Sequence, residues 1–361
     1  MLTPGARIAL VNSSNACPPH EQALVPELVR YLEGLGLTVD LSPFVMPRYA
    51  ADFRSEEGPR PWDWAHAGSD RERASALMRA FADPGIKAVF DISGGDLANG
   101  VLHHLDWDVI RANPKPYAGY SDLSTHLGAF LAETGRPQIY WRILSLGGTP
   151  GSGIGDGGTS SHGGSGSGDG GTSSPDGSRS RRVGSWGAGY GDARTRFEQT
   201  FLNGDSHSPA DCVPKVPTGP LFELDDVHFI RGSSMSGPLV GGNLRCTLKL
   251  AGTRWFPELD GAILAIESES NPAPLITTLL TQYRDLGAFE RCAGLLIGQH
   301  NHLTAHYGPH AIEQILDSIV DTDIPVARTE QFGHRHDSRA LLIGANYELD
   351  ARSAVAAPTR T

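Results

Sequence analysis

The chain is expected to be an α/β protein of two domains, and three observations lead there. Its 361 residues exceed the roughly 100–200 residues of one domain. Short apolar runs alternate with stretches of helical periodicity, as in a mostly parallel sheet covered on both faces. A Gly/Ser/Thr-rich stretch divides two such series, which delimits domains at 1–146 and 216–361 with an insertion and linker at 147–215.

In the first series, residues 7–12 form an apolar run suited to a buried strand, 21–34 a helix closed by glycine, and 38–42 a second strand. Residues 70–82 carry Ala74, Leu77, Met78 and Phe81 at helical spacing. A strand at 88–92 then runs into Gly94-Gly95. A helix at 101–112, a strand at 116–120 and a helix at 124–133 follow, the last ending at Gly135. Ligands of such sheets bind beyond the strand C-termini, where Gly94-Gly95 and Ser121 stand. After the insertion, strands are expected at 220–230, 239–250, 262–267, 294–298 and 324–328, with helices at 275–286 and 309–320.

The insertion is poor in apolar side chains and repeats Gly-Asp-Gly-Gly-Thr-Ser-Ser loosely at 155–161 and 168–174. Such a segment cannot offset its ordering entropy. A net charge of −11 argues against nucleic acid and anionic membrane as partners, because phosphate binding needs concentrated Lys and Arg. The N-terminus lacks the order of a secretory signal, and no run reaches membrane-helix length, so a cytoplasmic location is expected. Cys17, Cys212, Cys246 and Cys292 are far apart, which suits buried or free thiols and neither a disulfide framework nor a zinc knuckle.

Ser121 lies at a strand-to-helix turn with Gly119 two residues before it. There a serine can project its hydroxyl while the next backbone N–H faces the same space, as nucleophilic catalysis requires. The same residue could simply cap the helix, and Asp122 could cap or donate its amide. Gly94-Gly95 could supply a second oxyanion donor or form a tight turn. His300, His302, His306 and His310 invite a zinc reading, but no His-Glu-x-x-His is present. A solvated polar loop is the expectation for them, with no metal and no cofactor. His126 and the pair His103-His104 are expected on helix surfaces.

The run Gly94-Gly95-Asp96-Leu97-Ala98-Asn99-Gly100, followed by Asn113-Pro114-Lys115 and Gly119-Tyr120-Ser121-Asp122, resembles the N-terminal half of the LD-carboxypeptidase family, which includes microcin-immunity peptidases. Gly237-Pro238-Leu239-Val240-Gly241-Gly242-Asn243, Gly252-Thr253, residues 262–267 and Phe332-Gly333-His334 match its C-terminal signatures in order. The resemblance implies an N-terminal domain like the class I glutamine amidotransferases, a smaller C-terminal α/β domain, and an active site at their interface. It also implies a triad of Ser121, Glu267 and His334, with the Gly95 and Asp122 amides as oxyanion hole and Asn243 at the substrate.

Glu269 is a rival carboxylate, since strand residues two apart face the same way. Tyr140-Trp141-Arg142 departs from the Gly-Pro usual at that place, and Arg335-His336-Asp337 from a proline-containing segment. The implied activity is serine-type hydrolysis of a peptide-like amide. The substrate is either a murein tetrapeptide or a peptidyl or aminoacyl nucleotide, on whose base Trp186 could stack; Trp186 could equally anchor its loop, and Trp62 and Trp64 are ambiguous in the same way. A homodimer is implied as well. A ligand-binding relative without catalysis is the alternative.

Overall fold

The computed structural model describes residues 2–46, 68–148, 188–203 and 218–359, with side chains in the third stretch from 192 onward. Trp62, Trp64, Trp186, Cys212 and the Gly/Ser repeats lie outside the described residues.

The first sheet contains β1 (Arg7–Val11), β2 (Thr38–Leu41), β3 (Ile86–Asp91), β4 (Tyr117–Gly119) and β5 (Gln138–Tyr140). They run parallel in the order 2-1-3-4-5. The order reverses beside β1, so the loops after β1 and β3 part and leave a crevice at their C-terminal ends. The second sheet is built from β6 (His228–Arg231), β7 (Ser234–Asn243), β8 (Ile263–Ser268), β9 (Gly294–His300) and β10 (Val326–Arg328). Strands β7 to β10 are parallel neighbours in sequence order.

The last two strands divide between the sheets. Leu341–Ile343 (β11) pairs antiparallel with β5 in the first sheet, and Asn346–Asp350 (β12) pairs antiparallel with β7 in the second. The segment 216–361 therefore completes both sheets.

The three crossovers that join β7 to β10 step in one direction and, being right-handed as such connections are, place their helices on a single face of the second sheet. That face carries Val240, Leu264, Ile266, Leu295 and Ile297, packed in one core with Ile276, Leu280 and Leu316 of the helices. The opposite face, with Leu239, Ile263, Ala265, Leu296 and Ala327, joins the core of the first domain. The two halves thus share continuous apolar packing.

Three local expectations change. Residues 239–250 are a strand only to Asn243, after which Leu244–Leu248 forms one short helix. Within 220–230 a single 3-10 turn, Pro220–Phe222, precedes a strand that begins at His228. The helix Ala188–Phe197 and the turn Glu198–Leu202 sit inside the span assigned to linker. Yet Ala193, Phe197 and Phe201 are buried there, and Phe197 and Phe201 stack at 4.9 Å between ring centroids. Two phenylalanines four residues apart give this piece an apolar stripe that the Gly/Ser repeats lack.

Candidate active site

Gly119 ends β4 because the chain folds back there: a Cβ at this position would meet Leu123 Cβ at 2.7 Å. Tyr120 is extended, and Ser121 then adopts φ +54°, the one positive φ outside glycine among the described residues. A serine in this region costs on the order of 1–3 kcal/mol and persists only where its surroundings impose it. Here the Ser121 N–H donates to Tyr140 Oη (3.2 Å), and the Ser124 hydroxyl donates to the Ser121 carbonyl (2.7 Å). Ser121 opens a 3-10 turn, Ser121–Leu123, that runs into the helix Ser124–Thr134.

The turn after β3 closes on this serine. A Cβ at Gly94 would lie 3.6 Å from Ser121 Cβ and 3.3 Å from Tyr120 Oη. Gly95 has φ +125°, and a Cβ there would overlap the Asn15 side chain at 2.2 Å. Asn15 holds the turn from below, its N–H donating to the Gly94 carbonyl and its Oδ1 accepting from Asp96 N–H. The two amides expected as oxyanion donors thus belong to adjacent loops.

Glu267, the penultimate residue of β8, is wholly buried. Its Oε1 accepts from Tyr140 Oη (2.6 Å) and Asn243 Nδ2 (2.9 Å), and its Oε2 faces His334 Nδ1 at 2.7 Å. Burial pushes this carboxyl up, but the His334 charge and the three hydrogen bonds outweigh it and hold the group below its ordinary range. For His334 burial acts downward, and the Glu267 carboxylate overrides it and raises the imidazole above its ordinary value. With Nδ1 donating to a carboxylate, Nε2 carries the lone pair.

The rival carboxylate goes elsewhere. The register of β8 on β9 breaks between Ile266 and Ser268, the strand ends, and Glu269 is exposed with Asn301 Nδ2 as its donor. The alternation that made the two glutamates equivalent stops before the second of them.

His334 is presented by a loop fastened to the end of β9. Phe332 packs on Gly298, Gln299 N–H donates to the Phe332 carbonyl (3.0 Å), and Gln299 Oε1 accepts from Arg335 N–H (2.8 Å). The His334 ring lies 5.5 Å from that of Tyr120. No hydrogen bond joins the Ser121 hydroxyl to His334 among the described residues. The serine and the Glu267–His334 pair are linked instead through Tyr140, which touches both Ser121 N–H and Glu267.

Asn243 has a further set of bonds. Its Nδ2 donates to Glu267, its Oδ1 caps the helix Leu244–Leu248 through Cys246 N–H, and its own N–H donates to Ser124 Oγ (2.8 Å). Tyr140, Ser124, Gln299 and Asn15 were missed from sequence. For Tyr140 a signal existed in its place at the end of a strand whose next residues depart from the family pattern. The others are polar residues with no distinguishing spacing.

The remaining histidines correct two expectations. His126 is fully buried rather than on a helix surface, with Tyr117 Oη at its Nδ1 and the Ala98 carbonyl at its Nε2, both 3.0 Å away. The second domain covers the outer side of its helix: a Cβ at Gly128 would touch Leu250. His103 and His104 are exposed. The cluster from His300 to His310 is not a solvated loop. His300 ends β9 buried, its Nδ1 2.8 Å from Ser268 Oγ, and burial lowers it to about 4.

His302 and His306 stack at 4.0 Å on the helix Asn301–Tyr307, and His310 is exposed beside Glu313. No group of three or more His, Cys, Asp or Glu among the described residues could hold a metal ion. None of the described helices is long and apolar enough to cross a membrane. Cys17, Cys246 and Cys292 are buried.

Comparison with known proteins agrees with this architecture. The chain is 37% identical over 288 residues to the murein tetrapeptide carboxypeptidase of Pseudomonas aeruginosa, covering 79% of each chain. It is 25% identical over 290 residues to the microcin C7 self-immunity protein MccF of Escherichia coli, covering 80% of this chain and 78% of that one. A solved structure of MccF in complex with glutamyl sulfamoyl guanosine superposes with a TM-score of 0.73 at 20% identity, covering 100% of this chain and 97% of the other. The family model for the LD-carboxypeptidase N-terminal domain matches residues 8–140 and that for the C-terminal domain residues 236–349. On these matches the chain belongs to the LD-carboxypeptidase family of peptidases.

Proposed function

We propose that this protein is a serine-type LD-carboxypeptidase that releases the terminal D-residue of a murein tetrapeptide, with Ser121 as nucleophile. The observation that carries the proposal is the Glu267–His334 pair at 2.7 Å, joined through Tyr140 to a serine held at φ +54°. His334 Nε2 takes the Ser121 proton as Oγ attacks the scissile carbonyl, and returns it to the leaving amine. Water then attacks the acyl-enzyme by the same route. Glu267 fixes the tautomer and stabilises the imidazolium. The Gly95 and Asp122 amides receive the tetrahedral oxygen, each such donor being worth roughly 2.7–4 kcal/mol of barrier. Asn243 orients Glu267, and its second amide hydrogen is assigned to substrate.

The 37% identity to a murein tetrapeptide carboxypeptidase favours the murein substrate. A second reading, cleavage of an aminoacyl or peptidyl nucleotide, draws support from the fold shared with MccF, which has been solved with aspartyl sulfamoyl adenosine; in it Trp186 stacks on the base. Mass spectrometry after incubation with a murein tetrapeptide, and separately with an aminoacyl-nucleotide analogue, distinguishes the two by the fragment released. Ser121→Ala is expected to lower turnover by at least about 10⁴-fold. Turnover unchanged by that substitution would remove Ser121 from the mechanism.

A further inference from the structure

Both loops that carry the assigned oxyanion amides end on one ammonium group. Lys249 belongs to the C-terminal half, at the end of the helix Leu244–Leu248, with a side chain 18% exposed. Its Nζ donates to the carbonyl of Asp96 (3.0 Å), the residue after Gly95. The same Nζ lies 2.5 Å from Oδ1 of Asp122, the residue after Ser121. Asp122 is wholly buried, and its other oxygen accepts from Ser14 Oγ (2.5 Å) and Ala98 N–H (2.8 Å). Ser14 Oγ in turn accepts from Leu97 N–H (3.3 Å). One turn back along the same helix, Arg245 pairs with the Asp96 carboxylate.

We infer that Lys249 is a positioning residue: reaching across the domain interface, it holds the Asp122 carboxylate and the Asp96 carbonyl together and so sets the separation of the two oxyanion amides. The inference rests on the proposed role of Ser121 and assigns a function that no substrate contact requires. Three features favour positioning over ordinary surface pairing. The carboxylate is buried, so leaving it unpaired is costly. The two acceptors belong to different loops, each directly following an assigned donor. The ammonium comes from the other domain, so its bonds form only when the halves are seated. Burial pushes the Asp122 carboxyl up, but Lys249, Ser14 and the Ala98 amide outweigh it and keep the group ionised at neutral pH.

The test uses the full chain and a fluorophosphonate probe, which does not depend on the native substrate. Ser121 Oγ bonds to phosphorus, fluoride leaves, the serine proton passes to His334, and the phosphoryl oxygen occupies the space between the two amides. Intact mass reports the rate. Lys249→Met is expected to slow labelling by about 10²-fold, the loss typical of one oxyanion donor, and to lower kcat on the murein tetrapeptide similarly with KM little changed. Lys249→Arg is expected to restore most of the rate. A methionine variant that melts earlier but labels at the wild-type rate would overturn the inference.

Should the methionine variant fail to fold, Ser14→Ala reads the linkage from the other Asp122 oxygen, and an unchanged labelling rate there would likewise overturn it. Wild type that does not label, or Ser121→Ala that labels equally, would instead sink the nucleophile assignment.

Discussion

A buried carboxylate and a mostly buried imidazole set each other's charge state, and the site is most informative there. His334 must be neutral to take a proton, and Glu267 holds it above its ordinary 6.5. Labelling should therefore rise with pH and level off only above that value. In Glu267→Gln burial acts without the opposing carboxylate, so the midpoint should fall to lower pH. The plateau should drop by roughly 10⁴-fold, as when a triad's orienting carboxylate becomes an amide. A midpoint that stays in place would separate Glu267 from His334.

At this scale the sequence was legible for residue type and silent on geometry. Ser121 stood at the right turn, but its φ of +54° is held by Ser124 within the turn and by Tyr140 from the next strand, a bond that no local pattern encodes. Glu267 and Glu269 were equivalent by alternation until the break after Ile266 separated them.

Among the elements, the helix Leu244–Leu248 matters out of proportion to its length. Its first end, Asn243, holds Glu267 and Ser124, and its last end, Lys249, holds Asp122. Five residues make little more than one turn, too short for a period of 3.6 to show, so Leu239 to Leu250 read as one strand. Asn243→Ala should cost about 0.5–2 kcal/mol for the lost cap and should also slow turnover. Asn243→Ser keeps a capping oxygen but is too short to reach Glu267. It is expected to melt near the wild type while turning over as slowly as the alanine variant, measured by thermal denaturation and steady-state kinetics. Equal turnover by Asn243→Ser and wild type would show that the cap alone matters.

For the whole molecule, the alternating pattern disclosed two α/β series but not how they share strands. Leu341-Leu342-Ile343 is a three-residue apolar run that suits either sheet, and only tertiary pairing assigns it to the first. The shared core follows from winding: crossovers in one direction leave the far face of the second sheet uncovered until the first domain packs on it. A chain truncated after Arg339 lacks β11 and β12 and should lose cooperative melting in both halves, followed by circular dichroism. A first half that keeps its own sharp transition would contradict the shared core.

The division of β11 and β12 between the sheets also has a meaning in time. During synthesis the serine-bearing half emerges first, yet its sheet gains its edge strand only once residue 343 is made. Domains generally fold in order of emergence, but this one waits on the far end of its own message. A nascent chain would therefore carry Ser121 for most of its translation without the completed sheet beneath it.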